Sequence, residues 1–354
     1  MSYRIMFCWS SLSSYFAQSI ISLNSEAFQL AVVHKQPYHD HHIMKQVANL
    51  DNCVLHEYSK FDKIRLAEFE NKFDPDLLIV GGWQDWKYRY ILKKSKALRI
   101  LAMDNYYLGT MKQRIGVASS SFYLGSKFDC AFVPGLAQSE FASKLGFLPN
   151  EIFEGLYCTK PADFELQKKA IEAKTSNNNP FLFVGRLVEE KGIRTLLKGY
   201  QRYRKLSLNP RELHIYGVGK LETVLRGNEG IELFGFVSFN RSSEVFKNAI
   251  ALVLPSVKEP FGMVALEACQ HALPIILSDS VGSSRDLLRE YENGFSFKTN
   301  DFNALAQAFL NFDNMKSHEY SSLALSSYEI GLKFSPEKFH ESIMRMISLR
   351  KSRH

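Results

Sequence analysis

Cysteine is scarce in this chain, and long apolar runs are missing altogether. The five cysteines, Cys8, Cys53, Cys130, Cys158 and Cys269, are odd in number and scattered, with no C-x-x-C spacing. That pattern argues against a disulfide framework or a structural zinc and fits a reducing compartment. No segment approaches the roughly 20 apolar residues that a membrane-spanning helix requires. Near the N-terminus the apolar stretch runs only from Ile5 to Trp9 before a Ser-rich segment, too short for the apolar region of a signal peptide. A cytoplasmic protein is expected, with at most peripheral contact at the inner face of an anionic membrane. Low-complexity tracts are also lacking, and neither sign of charge dominates. Lys and Arg number 17 against 15 Asp and Glu in residues 1–158, and 27 against 22 in the remainder, so neither half is an acidic or basic module. The excess of positive charge is mild and spread out, apart from Arg345, Arg350, Lys351 and Arg353 at the tail. Without a basic stripe interleaved with aromatics, nucleic acid is not expected as a partner.

What is present is α/β patterning over a length, 354 residues, that suits two domains. Strand-like runs at Arg4–Cys8, Phe28–Val33, Leu77–Val80, Arg99–Ala102, Cys130–Val133 and Ile152–Gly155 alternate with helical segments such as Tyr15–Asn24 and Ser139–Leu145. A linker signal, Thr175-Ser176-Asn177-Asn178-Asn179-Pro180, follows a polar helix over residues 164–174. A second series then begins with strands Phe181–Val184, Glu212–Tyr216, Ile231–Leu233, Ala251–Leu254, Pro274–Leu277 and Gly294–Phe297, again separated by helical patterns. Two doubly wound domains with parallel sheets are expected, residues 1–160 and 175–330, with a last helix over 334–354. Ligands of such sheets bind beyond the carboxyl ends of the strands.

The most informative segment is Glu259-Pro260-Phe261-Gly262-Met263-Val264-Ala265-Leu266-Glu267. It follows an apolar strand and opens a helix, which puts Glu259 on the connecting loop and Glu267 inside the helix. Eight helical residues span about 12 Å, near the reach from a sugar hydroxyl across a diphosphate to a ribose. Backbone N–H groups around Phe261, Gly262 and Met263 would favour an anion at the helix start. A second loop, Gly185-Arg186-Leu187-Val188-Glu189-Glu190-Lys191-Gly192, leaves another strand of the same series and carries two cations for that anion. Gly217-Val218-Gly219 resembles a dinucleotide-binding turn, but Glu222 takes the third glycine's place and the turn follows an interior strand, so no such site is expected.

Taken with Tyr216-Gly217-Val218-Gly219, Phe234-Gly235-Phe236-Val237 and Pro255-Ser256, these loops resemble the donor domain of glycosyltransferase family 4 over roughly residues 180–312. The resemblance implies a GT-B fold, two Rossmann-like domains facing across a cleft, and a retaining, metal-independent transfer from a nucleotide sugar. It implies that Arg186 and Lys191 hold the donor diphosphate, that Glu259 contacts the transferred sugar and that Glu267 accepts from the ribose hydroxyls. Gly185, Pro260, Phe261, Gly262 and Met263 would line the sugar and phosphates, Phe236 and Val237 the base, and Gly217 would allow close approach. UDP-sugars are expected ahead of GDP-sugars, with no cofactor, and a glycan or lipid-linked acceptor in surface polysaccharide or glycoconjugate synthesis. Val281-Gly282-Ser283-Ser284-Arg285-Asp286 departs from the paired glycines usual in the family, and Trp9-Ser10-Ser11-Leu12-Ser13-Ser14 departs from its glycine-rich acceptor loop.

In the first domain Asp104 or Asn105 stands where many family members have a histidine, either as base and orienting partner or as a turn that ends the strand. Ser11, Trp83 and Asn105 are the acceptor candidates, with Gly81–Trp86 either lining the acceptor site or forming a turn with packing tryptophans. Lys87, Arg89, Lys93, Lys94, Lys96 and Arg99 read as one helical stretch, either a solvated face or a meeting point for anionic lipid or a phosphate-bearing acceptor. His39, Asp40, His41 and His42 cluster too tightly for one metal ion, and Asp74-Pro75-Asp76 reads as a turn. The alternatives to transfer are epimerisation or hydrolysis of a nucleotide sugar on the same fold, or binding without catalysis.

Overall fold

The computed structural model describes residues 2–36, 41–120, 124, 127–173, 179–237 and 242–353. His39, Asp40 and Thr175–Asn178 lie outside them, as do the side chains of His41 and His42, so the clustered histidines and most of the linker fall there. The chain divides into two compact units, Met1–Thr159 with Phe334–His354, and Lys160–Lys333.

The strands are β1 (Tyr3–Ser11), β2 (Phe28–Gln36), β3 (Cys53–Glu57), β4 (Leu77–Gly81), β5 (Leu98–Ala102), β6 (Cys130–Val133), β7 (Ile152–Glu154), β8 (Phe181–Val184), β9 (Leu213–Tyr216), β10 (Ile231–Gly235), β11 (Ala251–Leu254), β12 (Ile275–Ser278) and β13 (Gly294–Phe297). The helices of the first unit are α1 (Ser14–Ser22), α2 (His41–Ala48), α3 (Lys63–Phe73), α4 (Trp86–Leu92), α5 (Met111–Ala118) and α6 (Leu136–Lys144). Those of the second are α7 (Phe164–Ala173), α8 (Ile193–Leu206), α9 (Glu222–Leu225), α10 (Ser242–Lys247), α11 (Met263–Gln270), α12 (Ser284–Leu287), α13 (Phe302–Asp313) and α14 (Ser317–Leu332); α15 (Pro336–Arg353) completes the first unit.

Each unit holds one all-parallel sheet, ordered β3-β2-β1-β4-β5-β6-β7 and β10-β9-β8-β11-β12-β13. Strands buried on both faces read as continuous apolar runs, as Leu77–Val80 and Ala251–Leu254 do, all fully buried. In both sheets the order reverses beside the first strand, between β1 and β4 and between β8 and β11, which creates a crevice at the carboxyl edge. In the second unit, α8 buries Ile193, Leu196, Tyr200 and Tyr203 at helical spacing against Phe181, Leu213, Ile215 and α13. Such an apolar stripe fixes which face of the sheet the helix covers, and with it the direction in which the preceding loop leaves β8.

Two doubly wound parallel sheets are found, as expected, but three local expectations fail. β1 continues through Trp9 and Ser11, paired with His34 and Gln36 of β2, so Trp9–Ser11 is strand and not loop. Trp9 stacks on Phe16 at 4.1 Å, and Ser13 caps α1 by accepting from the Phe16 N–H. β3 escapes detection because it is an edge strand, only Cys53 being fully buried, so its apolar signal is diluted by His56 and Glu57. The cationic stretch 87–99 is not one helix: α4 ends at Leu92, and Arg99 lies in β5, gripping Asp129 through Nη2–Oδ1 at 2.8 Å and Nε–Oδ2 at 2.9 Å. The basic tail is likewise engaged. Along α15, Arg350 pairs with Asp76, Lys351 donates to the Tyr3 hydroxyl at 2.6 Å and Arg353 reaches Glu151 at 3.2 Å.

Candidate active site

The candidate site of the second unit is made by three loops leaving the carboxyl ends of β8, β11 and β12. Their backbones touch. The turn after β9 packs beside them: the N–H of Gly185 donates to Tyr216 O at 2.9 Å and that of Gly217 to Gly235 O at 2.7 Å. Gly217 has no room for a side chain, since a Cβ there would stand 1.8 Å from the Gly185 carbonyl oxygen. The direction of a Gly217 side chain is thus filled by the neighbouring loop. Gly192 ends the turn Glu189–Lys191 in the left-handed conformation, φ 68°, with a would-be Cβ 1.9 Å from Pro255 O. Val257 N–H donates to Glu190 O at 2.8 Å and completes the seam between the β8 and β11 loops.

That seam brings Lys191 to Glu259. Lys191 Nζ and Glu259 Oε2 form an ion pair, and the Ser256 hydroxyl donates to the same oxygen at 3.3 Å. The pair is largely withdrawn from solvent, with side chains 16% and 11% exposed. Arg186 differs: its side chain is 72% exposed, and its contact with Glu190 is a loose 3.8 Å, which leaves the guanidinium able to swing onto an incoming anion. The third loop holds Glu259 from behind, through Gly282 N–H to Glu259 O at 2.9 Å and Ser283 N–H to Phe261 O at 3.1 Å. The serines that depart from paired glycines therefore still support this loop, through backbone bonds that do not depend on residue type.

Pro260 and Phe261 lead into α11, whose N-cap Gly262 has φ 94° and supplies no side-chain cap. The helix start at Met263 thus presents backbone N–H groups, the positive end of the dipole, beside the Lys191–Glu259 pair. Phe261 is anchored in the core at 2% exposure, and Glu267 is buried one turn into α11 at 6%. A buried carboxylate is suited to accept from hydroxyl donors. Phe236 and Val237 stand off the pair, at the rim of a cavity of about 540 Å³ shared with His214, Tyr216 and Phe234. Phe236 is 77% exposed, while Tyr216 and Phe234 stack at 4.7 Å. Tyr216 and Phe234 belonged to quoted motifs, but His214 and this aromatic wall were not foreseen; the alternation of His214 and Tyr216 with buried Leu213 and Ile215 was the available signal.

In the first unit, Trp83 and Asn105 line one cavity, after β4 and β5, but Ser11 does not. The Asp104 carboxylate accepts from the Tyr157 hydroxyl at 2.9 Å. Burial, with Asp104 beside it, holds that phenol well above its ordinary value of 10, so Tyr157 stays a neutral donor. Tyr157 was missed, although its place just past β7 marked it by the carboxyl-end rule. Asp74 and Asp76 serve the fold, the latter accepting from Arg4 N–H at 2.8 Å.

Residues 164–320 match the family model described as glycosyl transferases group 1. That stretch lies within the second unit, Lys160–Lys333. An uncharacterized glycosyltransferase of Methanocaldococcus jannaschii is 34% identical over 120 residues, 32% of this chain and 30% of the relative. The capsular polysaccharide biosynthesis glycosyltransferase CapM of Staphylococcus aureus is 30% identical over 158 residues, 41% and 40% of the two chains. The chain spans between 30% and 54% of the length of the first curated relatives it matches. Over whole chains, the solved structure of Anabaena HepE in complex with UDP and glucose superposes with a TM-score of 0.72 at 12% identity, covering 98% and 99%. The group 1 domain contains all three loops of the site, Gly185–Gly192, Pro255–Gly262 and Val281–Ser284.

Proposed function

We propose that the protein is a retaining glycosyltransferase of family 4, moving one sugar from a nucleotide diphosphate to an acceptor hydroxyl without a metal. The observation that carries this reading is the Lys191–Glu259 pair at the β8/β11 switch point, with the mobile Arg186 and the start of α11 beside it. Two cations and a helix N-terminus suit a diphosphate; a carboxylate held in place suits a sugar hydroxyl. The donor lies with its diphosphate against Arg186 and Lys191, its sugar toward Glu259, its ribose toward Glu267 and its base toward Phe236 and Val237. UDP is favoured, in keeping with the UDP named in the HepE structure.

Among the described residues we assign none as a nucleophile for double displacement, which favours attack from the leaving-group face. The acceptor oxygen bonds to the anomeric carbon as that carbon's bond to the phosphate oxygen breaks. The acceptor proton passes to a donor phosphate oxygen, and the nucleoside diphosphate departs with its charge held by Arg186 and Lys191. In the first unit Asp104, oriented by Tyr157, aligns the acceptor hydroxyl. A glycan or lipid-linked acceptor in surface polysaccharide or glycoconjugate synthesis fits the kinship with CapM, with the protein working in the cytoplasm at the membrane's inner face. Among the described residues no helix is long and apolar enough to cross a membrane.

The test is a transfer assay with UDP- and GDP-sugars against an extract of cell-surface glycolipids. Acceptor-dependent release of UDP, with the anomeric configuration kept, supports the reading; release at the same rate without acceptor favours hydrolysis instead. Tyr157→Phe is expected to lower kcat/KM for the acceptor about tenfold to a hundredfold, the worth of one hydrogen bond to a charged group, with donor affinity unchanged. Equal loss of donor affinity would remove Asp104 from the acceptor side. Turnover is expected to survive EDTA, because charge neutralisation is assigned to Arg186 and Lys191. Abolition by EDTA with recovery on adding magnesium would contradict that assignment.

A further inference from the structure

The first unit contains a cavity of about 510 Å³ on the carboxyl side of β4 and β5, bordered by Trp83, Asn105, Arg89 of α4, Lys112 of α5 and Lys127. Among the described residues three cations border it and no carboxylate does. Lys127 is the unusual member, because lysine is almost never buried and here it retains only 8% exposure. Burial depresses its ammonium below the ordinary 10.5, and the charges of Arg89 and Lys93 push it further the same way. Cations gathered around one space repel one another, and an anion inside it would relieve that repulsion. Serine and glutamine side chains on the same wall add neutral polar groups for its oxygens.

A second feature adjoins the first. Lys112 and Gly116 of α5 and its C-cap Ser119 face the cavity at i, i+4 and i+7. Met111 and Ile115, one residue round the helix, form an adjacent ridge that is 69% and 64% exposed, extended by Leu108 at 44%. Gln113 holds this ridge in place by accepting from Leu108 N–H and donating to Tyr106 O, both at 2.7 Å. Large apolar side chains displayed together beside a cationic pocket suit a ligand with a charged head and an apolar tail.

We propose that the cavity takes the phosphate of an amphiphilic, lipid-linked acceptor, whose apolar chain lies along Leu108, Met111 and Ile115. The proposal rests on the transferase reading for the word acceptor, while the phosphate site itself stands on this unit alone. A soluble sugar phosphate would use the cations but leave the apolar ridge uncovered, which is why the lipid is preferred.

Calorimetric titration of the full chain with dodecyl phosphate below its micelle concentration, glucose 1-phosphate and dodecanol tests it. Arg89→Gln/Lys112→Gln removes charge from the two less buried cations and spares Lys127, so the fold is kept; Met111→Ser/Ile115→Ser strips the ridge. Dodecyl phosphate is expected to bind at least about tenfold more tightly than glucose 1-phosphate or dodecanol, and to lose about tenfold or more in each double variant. Arg186→Ala, in the other unit, is expected to leave that affinity unchanged. Unchanged affinity in Arg89→Gln/Lys112→Gln, equal binding of glucose 1-phosphate, or loss in Arg186→Ala would each overturn the proposal. UDP titrated into the same proteins separates the two ideas: absence of UDP binding to the unaltered chain sinks the donor reading but leaves the dodecyl phosphate result standing.

Discussion

Lys191→Ala is expected to lower sugar transfer by about 10²- to 10³-fold, the typical loss when one preorganised group that stabilises developing charge is removed. In the resting site Lys191 is committed to Glu259, whose carboxylate is 11% exposed and has the Ser256 hydroxyl as its other side-chain partner. Removing the lysine alone therefore strands a poorly solvated carboxylate, and some of the loss could come from a disturbed loop. Lys191→Ala/Glu259→Gln separates the two effects. The double variant removes both charges, so its thermal midpoint should return toward that of the unaltered protein while turnover stays low. Recovery of turnover along with stability would mean that Lys191 serves only the loop. Arg186→Ala should show the catalytic loss with no stability change, because its guanidinium is exposed and its pairing with Glu190 is loose.

The largest stability effect is expected from Gly192→Ala. A side chain in the left-handed region costs about 1–2 kcal/mol by itself. Here the new Cβ would also lie 1.9 Å from Pro255 O and 2.8 Å from its carbonyl carbon, backbone atoms that can yield only by moving the Glu259 loop. A loss of about 3 kcal/mol or more is predicted from urea unfolding. Gly227→Ala is the control, since its φ is 75° but nothing stands within 4 Å of the added carbon; about 1 kcal/mol is expected there. Equal losses at the two positions would show that the seam between the loops has slack. A drop in UDP affinity confined to Gly192→Ala would tie the seam to the site.

How much of this was legible in the sequence depended on burial. Strands covered on both faces, such as Leu77–Val80 and Ala251–Leu254, announce themselves as apolar runs, and their alternation with helices gave the architecture. The edge strand β3 did not, because only Cys53 of its five residues is fully buried. The loops of the second unit's candidate site were readable because Arg186, Lys191, Glu259 and Glu267 stand at fixed offsets from strand ends. Their connections were not, since Gly192 against Pro255 and Gly282 against Glu259 meet through backbone atoms over sequence distances that no local pattern records. The cavity of the first unit shows the same limit. Trp83 and Asn105 were found from their strands, but Lys127 reaches their cavity only through the tertiary fold, and the basic run 87–99 suggested a helix where the chain turns and enters β5. Ser11 was misplaced because the polar Ser10-Ser11 ends β1 rather than starting a loop.

The most direct test of the central claim is calorimetric titration of UDP into the unaltered protein, Lys191→Ala and Glu267→Gln. The account predicts binding to the unaltered protein and an affinity about tenfold or more weaker in each variant, one having lost a diphosphate cation and the other a ribose acceptor. UDP affinity identical in all three proteins would contradict it.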